Sequence, residues 1–375
     1  MAAPVMAVST NGAVQAARAE GQRLFGAFQT WGAVPVEAAI LQPAETLLDL
    51  YGEDIRARAY VTQDPSLGEM MLRPDFTVPV VQAHMAQGAE PARYCYLGEV
   101  FRKQEGLGGA RASEYLQVGY EVFDREQPLR ADAEVFALFA RLLAGRGLRA
   151  STGDIGILRA AVAGLPTSDT RKAALMRHLW RPARFRALLE RFAGRAPMPK
   201  GRADLLARLA AGEAVGCDLP QIGLRSRDEV EARMARLAED AATMAIPGDL
   251  VDGLEALLSV ADKAPKALAQ MRGFAAEMPW ITPSLDLFEQ RLTALSAHAV
   301  DLGALDFEAS YGRTTLEYYD GFVFGFSAEN RADLPPVASG GRYDALTAVL
   351  GQGRSIPAVG GVIRPALLVD LEGRA

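Results

Sequence analysis

The sequence predicts an α+β fold in which one mixed sheet is built from both ends of the chain and a helical stretch interrupts it. Three observations carry this. The chain has 375 residues, which suits about two domains or one large domain with an insertion. Strand-like runs gather in residues 1–160 and 301–375, whereas 161–300 reads as helices rich in Ala, Leu and Arg, punctuated by Pro and Gly. Hydrophobic residues at 50% and charged residues at 23% are ordinary for a globular chain, and exclude wholesale disorder. A chain this long buries roughly three quarters of its unfolded surface and needs no staple.

In chain order, Val14, Ala17, Leu24 and Phe28 recur at near-helical spacing and predict a helix over 13–30, ended by Trp31-Gly32. An extended segment starts at Val34–Ile40, and a short helix is expected over Thr46–Tyr51. Arg58–Gln63 and Met70–Arg73 read as short strands. Thr77–Met85 reads as a helix whose Pro79 fits the first turn. Tyr94–Arg102 and Ser113–Phe123 are rich in strand formers and flank a loop with Gly106, Gly108 and Gly109, which makes a hairpin with a long tip. A helix over 130–147 and a strand at Asp154–Leu158 follow. After Pro283 strands return at Asp306–Tyr311, Leu316–Phe326 and Val337–Gly341, and a final glycine-bounded element, Ala358–Ile363, leads into an apolar helix at Ala366–Val369.

Composition excludes several classes of function. Cys95 and Cys217 form no CxxC, so neither a disulfide framework nor a cysteine-rich zinc site is expected; His84, His178 and His298 are too scattered for a metal motif. No apolar run reaches membrane-spanning length, and Met1–Gly12 lacks the form of a signal peptide, so a cytoplasmic protein without metal or cofactor is expected. A net charge of −6 argues against a surface wholly given to nucleic acid. Between Arg171 and Arg208, eleven Lys or Arg stand against two acids, Glu190 and Asp204. This reads either as solvated helix faces or as a basic surface for an acidic partner or a phosphate-bearing ligand.

Four segments combine strand context with polar side chains. Asp75 and Thr77 in Leu72-Arg73-Pro74-Asp75-Phe76-Thr77 suit a ligand ammonium group, and equally suit a helix N-cap. Arg102 precedes the glycine loop, where anions meet guanidinium and backbone donors. In the return strand, Tyr115, Gln117, Gly119 and Glu121 share one face and Leu116, Val118, Tyr120 and Val122 the other. The first face is polar within a central strand, so its groups need partners, and Gly119 leaves room there for a small ligand. Finally, Leu316-Glu317-Tyr318-Tyr319 and Gly340-Gly341-Arg342-Tyr343-Asp344 also combine strand context with polar side chains, although the tyrosines equally suit plain packing and the second run an ordinary strand-to-helix turn.

Together, in this order, the segments resemble the catalytic domain of class II aminoacyl-tRNA synthetases of the histidyl type. Tyr96-Leu97-Gly98-Glu99-Val100-Phe101-Arg102, the glycine loop and Glu114–Glu121 resemble that family's motif 2. Leu72–Thr77 and Leu316–Tyr319 resemble its histidine-binding elements. Ser339–Asp344 and Ile356–Gly360 resemble the stretch before motif 3, and a looser motif 1, the family's dimer interface, falls near Phe28–Glu45. The resemblance covers roughly residues 13–160 and 305–370. It implies a class II synthetase-like α+β fold, an antiparallel sheet flanked by helices, with 161–300 as a helical insertion domain. It also implies a histidine pocket: Asp75 and Thr77 for the amino group, Arg102 and Gln117 for the carboxylate, Glu121 and Tyr318 for the imidazole, with Tyr319 beside them in the same pocket.

Departures from the family bear on activity. Where the synthetases carry an Arg before Gly-Leu-Asp-Tyr-Tyr, Thr314 stands here, with Thr315 at the glycine and Arg313 one residue off, on the opposite face in a strand. Where motif 3 ends in Gly-x-Glu-Arg, this chain has Arg364, Pro365, Ala366 and Leu367. Losing two cationic groups at an adenylation site removes several kcal/mol of transition-state stabilisation, on the order of a thousandfold in rate. Phe76 replaces a glycine and could narrow the pocket. The sequence ends just past motif 3, so no anticodon-binding domain, and no tRNA, is expected. An amino-acid pocket without an ATP site resembles the regulatory subunit of short-form ATP phosphoribosyltransferase, a synthetase paralogue. That resemblance implies a non-catalytic role and no cofactor. It also implies a hetero-octamer with the catalytic subunit, self-association as a dimer, and feedback inhibition by L-histidine of the first step of histidine biosynthesis. A working histidyl-tRNA synthetase, an amino-acid-ligating enzyme on the same scaffold, or an interaction protein without ligand remain the competing readings.

Overall fold

The computed structural model describes residues 11–45, 59–103, 113–213, 226–313 and 318–373. In chain order the elements are α1 (Asn11–Thr30), β1 (Val34–Pro35), β2 (Leu41–Pro43), β3 (Val61–Asp64), β4 (Gly68–Leu72), α2 (Thr77–Gln87), β5 (Ala92–Phe101), β6 (Glu114–Phe123), α3 (Pro128–Leu142), β7 (Leu148–Asp154) and α4 (Ile155–Ala163). Helices α5 (Asp169–Arg177), α6 (Pro182–Phe192), α7 (Lys200–Ala210), α8 (Arg227–Ala242) and α9 (Gly248–Leu258) follow, then β8 (Ala261–Lys263), α10 (Ala264–Phe274) and α11 (Thr282–Ala297). The chain closes with β9 (Asp306–Glu308), β10 (Phe322–Ala328), β11 (Ala338–Arg342), α12 (Asp344–Leu350), β12 (Ala358–Ile363) and α13 (Pro365–Glu372).

Nine strands form one sheet in the order β1-β5-β6-β12-β11-β10-β7-β9-β8, and β2-β4-β3 form a small second sheet. From β5 to β7 every neighbour is antiparallel; β1 on β5 and β7 on β9 are parallel. This is the α+β architecture expected, with strands from both ends interleaved. The period of two along β6 explains how the sheet sits. Val118, Tyr120 and Val122 are buried against helices on one face, where Phe28 of α1 stacks within 5.3 Å of Tyr120 and 5.7 Å of Phe139. Gln117 and Glu121 point to the other face, and are equally buried.

Several boundaries differ from the sequence reading. Asp154–Leu158 is not a strand: Asp154 ends β7, and its carboxylate accepts a hydrogen bond from the Gly156 amide (2.8 Å), capping α4. Ile155, Leu158 and Val162 then line one helical face, a period that a five-residue window hides. The strand expected from Leu316 begins only at Phe322, because Asp320 turns aside to accept from the amides of Asp344 and Ala345 at the start of α12. The strand expected over Asp306–Tyr311 stops at Glu308. The expectations at 46–51, at 104–112 of the hairpin tip, and for Thr314, Thr315, Leu316 and Glu317 lie outside the described residues.

The middle of the chain is helical, as its composition suggests, but it is tied into the sheet. β8 pairs with β9, and Leu175, Phe185, Leu254 and Leu285 belong to the same buried apolar cluster as Val118 and Tyr120. Arg291 of α11, 4% exposed, donates to Asp132 of α3 (2.7 Å) and to Asp154 of β7. Asp132 also accepts from Arg342 at the end of β11 (2.6 Å), and Arg342 reaches Asp344 (3.0 Å). Acids from elsewhere answer the basic run: Asp240 takes Arg171 and Arg202, Asp252 takes Arg195, Glu255 takes Arg186 and Glu213 takes Arg208. Five of the eleven cations in the run are thus ion-paired within the chain, which favours the reading as ordinary helix faces for that part of it.

Candidate functional site

A cleft on the polar face of β6 gathers residues from six segments. Asp75 and Thr77 reach it from the start of α2, Arg102 from the end of β5, Gln117 and Glu121 from β6, and Tyr318 and Tyr319 from the turn before β10. All seven residues named from sequence therefore line one cleft. Tyr343, Gly360, Gly361, Val362 and Arg364 complete the wall, around about 310 Å³ of space that includes solvent at the mouth.

Glu121 is the centre of this wall, with no exposed surface. Its Oε1 accepts from the hydroxyls of Thr77 (2.9 Å) and Tyr96 (2.9 Å), and its Oε2 from Tyr343 (2.6 Å). Burial pushes the carboxyl up to about 7; the three hydroxyls oppose the shift and nearby Asp75 adds to it. Burial first, and the Glu121 charge second, hold the Tyr96 and Tyr343 phenols well above their ordinary value, so both stay protonated as donors. The room for Glu121 comes from the neighbouring strand. Gly360 stands directly opposite it in the β6–β12 ladder, and a Cβ there would lie 1.4 Å from Glu121 Oε2.

Other details correct the sequence reading. The space over Gly119 holds no ligand room: a Cβ there would strike the Tyr96 ring at 2.1 Å, and Gly119 does not line the cleft. Phe76 is buried, stacks on Tyr96 at 4.4 Å and carries the Arg73 guanidinium 4.1 Å above its ring. It too is absent from the cleft wall and does not narrow it directly. Asp75 partly serves the backbone, its Oδ1 accepting from Val78 N at 3.3 Å, so the capping and the site readings coexist. Thr77 gives its hydroxyl to Glu121 and not to the helix.

Sequence reasoning missed Tyr96, Tyr343, Gly360 and Arg364 as parts of the site. A signal existed for two of them. Tyr96 pairs with Gly119, which places it on the polar face of the hairpin, and Gly360 ends the Ile356–Gly360 stretch. Tyr343 and Arg364 stand just past strands, where two-residue alternation no longer predicts direction.

One buried polar group in the cleft is incompletely served. Gln117 is 1% exposed and its amide oxygen has no hydrogen-bond partner. Arg364, half-buried, donates to the Pro336 carbonyl (2.6 Å) and to Ser339 Oγ (3.4 Å), with no carboxylate in ion-pair range among the described residues. Burial pushes its guanidinium down and neighbouring Arg102 adds to that, against the Tyr115 hydroxyl. Asp75 and Glu121 supply negative charge to the cleft, and Arg102 and Arg364 positive charge.

The positions expected to differ from the synthetases can be located. Arg313 points away from the cleft: it is 5% exposed, lies over the Phe185 ring, and donates through Nε to the Leu179 carbonyl at 2.8 Å. Leu367, at the place of the motif 3 arginine, packs against the main apolar cluster. Among the described residues no group of three or more His, Cys, Asp or Glu could hold a metal ion, and no helix is long and apolar enough to cross a membrane.

The family model described as histidyl-tRNA synthetase matches residues 11–245 and 224–366 of this chain. The "ATP phosphoribosyltransferase regulatory subunit" of Agrobacterium fabrum is 35% identical over 343 residues, covering 87% of this chain and 89% of its own. The chain belongs to the family of ATP phosphoribosyltransferase regulatory subunits. Another regulatory subunit, from Mesorhizobium japonicum, is 32% identical over 355 residues, covering 90% of this chain and 92% of its own. A solved structure described as an ATP phosphoribosyltransferase regulatory subunit/histidyl-tRNA synthetase from Bacillus halodurans C superposes with a TM-score of 0.68 at 20% identity, over 98% of this chain and 81% of that one. At that identity the likeness establishes the shared class II fold. Within it, this regulatory-subunit family member places its polar cleft on the central hairpin.

Proposed function

We propose that this chain is a non-catalytic regulatory subunit that assembles with a short-form ATP phosphoribosyltransferase catalytic subunit, is needed for its activity, and transmits inhibition by L-histidine. The observation that carries the reading is the charge layout of the Glu121 cleft, with two carboxylates, a guanidinium pair and an unpartnered amide within one wall. A zwitterionic amino acid matches that layout. Asp75 and Thr77 take the ammonium group, Arg102 and Gln117 the carboxylate, and Glu121 with Tyr318 and Tyr319 the imidazole. A buried carboxylate hydrogen-bonded to a ring N–H rejects side chains without that donor.

Arg313 turned into the helical layer and Leu367 packed in the core support a subunit that does not adenylate histidine. The relatives named as regulatory subunits support assembly with a catalytic partner, here read as a cytoplasmic hetero-octamer that binds no tRNA. Self-association as a dimer is assigned to the stretch 28–45. Phe28 itself is core, so exposed Trp31, Val34, Ile40 and Leu41 are the side chains that would meet a second copy. Residues 161–300 are read as an insertion in the sheet domain.

The test is a calorimetric titration of L-histidine into wild-type and Glu121→Gln protein, in complex with the catalytic subunit. Glu121→Gln is expected to lose on the order of 1.5–3 kcal/mol of affinity, the range for a hydrogen bond to a charged group. It should also relieve inhibition with the complex intact. Equal affinity in both proteins would eliminate the pocket. Histidine-dependent ATP–pyrophosphate exchange by the isolated chain, at the roughly 1–1,000 per second of ordinary enzymes, would instead establish a working synthetase.

A further inference from the structure

The cleft-facing residues of β12 grow in size along the strand. Gly360 pairs with Glu121 and Val362 with Gly119, so the next residue of the same period, Arg364, stands across from Gln117. All three line the cleft, whereas Val359 and Ile363 belong to the main apolar cluster on the other face. At the Glu121 end the floor carries no side chain, because a Cβ on Gly360 would lie 1.4 Å from Glu121 Oε2. At the Gln117 end it carries an arginine. Arg102 lies at that same end: it follows the Phe101–Glu114 pair, and its amide donates to the Ser113 carbonyl at 2.8 Å.

Arg364 is held at root and head. Its backbone amide donates to the Val337 carbonyl at 2.8 Å and its Nη1 to the Pro336 carbonyl at 2.6 Å. Ser339 Oγ lies 3.4 Å from both terminal nitrogens. A surface arginine samples many rotamers, but swinging this one aside gives up those bonds while its charge stays in a partly desolvated wall. It therefore acts as a fixed obstruction across one end of the cleft. Four residues of strand separate Glu121 from Gln117, about 14 Å between Cα atoms, and the side chains at both ends reach inward across part of that span. The remainder suits one amino acid, with its ring at Glu121 and its carboxylate towards Arg102. A second residue joined at the carboxylate would have to take the place of Arg364.

We propose that Arg364 is the end stop of the cleft, a specificity-determining residue that admits a single amino acid and shuts out one lengthened at its carboxylate. This rests on the reading of the cleft as an L-histidine site and adds a length rule to it: Arg102 meets the charge of the carboxylate, and Arg364 sets how far the ligand extends.

The experiment titrates L-histidine and two isomeric dipeptides into wild-type, Arg364→Ala and Arg364→Met protein, each as the full chain and each checked for a wild-type circular dichroism spectrum. L-Histidylglycine keeps the ring, the ammonium group and a terminal carboxylate, and adds length only at the carboxylate end. Glycyl-L-histidine adds the same length at the ammonium end. Wild type is expected to prefer histidine to either dipeptide by at least about tenfold, as for other groups that a pocket has no room for. Arg364→Ala should bind histidylglycine at least about tenfold more tightly than wild type does, with histidine changed by less than about fivefold and glycylhistidine still refused. Loss of a cation can only weaken binding of a ligand that ends in a carboxylate, so a gain reports room. Arg364→Met keeps part of the length and should fall between, which carries the test if the alanine variant does not fold. Histidylglycine no tighter in the variants than in wild type would overturn the proposal. So would an equal gain for both dipeptides, which means a loosened cleft, or a wild type that binds histidylglycine as well as histidine. Absence of histidine binding in wild type would remove the histidine reading itself, a result separable from the failure of Arg364 as a stop.

Discussion

Arg342 ends one strand and Arg364 follows the neighbouring one in the sheet, yet they are held in different ways. Arg342 ends β11 inside a closed set of charges: Asp132 with no exposed surface, Asp344, and Arg291 sharing Asp132 from α11. Arg364 follows β12 and meets only a carbonyl and hydroxyls. The first region is electrostatically complete within one chain. The second instead faces an open cleft that holds both signs of charge, Asp75 and Glu121 with Arg102 and Arg364, and a Gln117 amide oxygen without a hydrogen-bond donor. A closed set of buried charges serves folding; an open cleft that gathers both signs of charge around an orphaned acceptor is where a group from outside the chain can be received.

The sharpest way to break this contrast is Asp132→Ala. It removes the carboxylate shared by two buried guanidinium groups, leaving Arg291 to Asp154 and Arg342 to Asp344, and should cost about 3–5 kcal/mol in urea unfolding, as for other broken buried pairs. A loss below about 1 kcal/mol would mean that the network around Asp132 is no more self-sufficient than the cleft. Next comes Gly360→Ala, whose Cβ would overlap Glu121 Oε2. Overpacking of this kind costs up to about 3 kcal/mol, and eviction of Glu121 from the Tyr343 hydroxyl should abolish histidine binding by calorimetry.

The effect of pH is smaller and has a definite sign. Glu121 is raised to about 7 and Asp320 to about 6, both mainly by burial. The folded chain therefore holds these protons over a range in which the unfolded chain has released them, and stability should fall as pH rises from about 4.5 towards 7. Urea midpoints at pH 5 and pH 8 should show Glu121→Gln flattening this fall by on the order of 2 kcal/mol relative to wild type. An identical fall in both proteins would place the buried charge elsewhere. Smallest of all, Arg364→Met should change unfolding free energy by no more than about 1 kcal/mol, since it removes only bonds to neutral acceptors. A loss comparable to that of Asp132→Ala would erase the distinction between the two arginines.

Much of this was legible in the sequence because it depends on period. The alternation in Tyr115–Val122 placed Gln117 and Glu121 on one face, and both are found there, buried. The helices over 13–30 and 77–85 were likewise local decisions. What stayed hidden depends on contacts between distant segments. Glu121 owes its three hydroxyls to residues 44, 25 and 222 positions away. Gly119 looked like space for a ligand because the Tyr96 ring that fills it comes from the opposing strand. The basic run from Arg171 to Arg208 looked unbalanced because Asp240, Asp252 and Glu255 lie outside it in sequence.

The grip of Arg291 on Asp132 and Asp154 bears on how this architecture can be rebuilt. A helical segment that supplied only apolar surface could be exchanged for any other of like shape. This one also delivers the counter-charge for two carboxylates that belong to α3 and β7. It is therefore not a portable module: a chimera that replaces 161–300 must carry an arginine at the equivalent place on its last helix, or neutralise Asp132 and Asp154 together, before its fold can be compared with the parent.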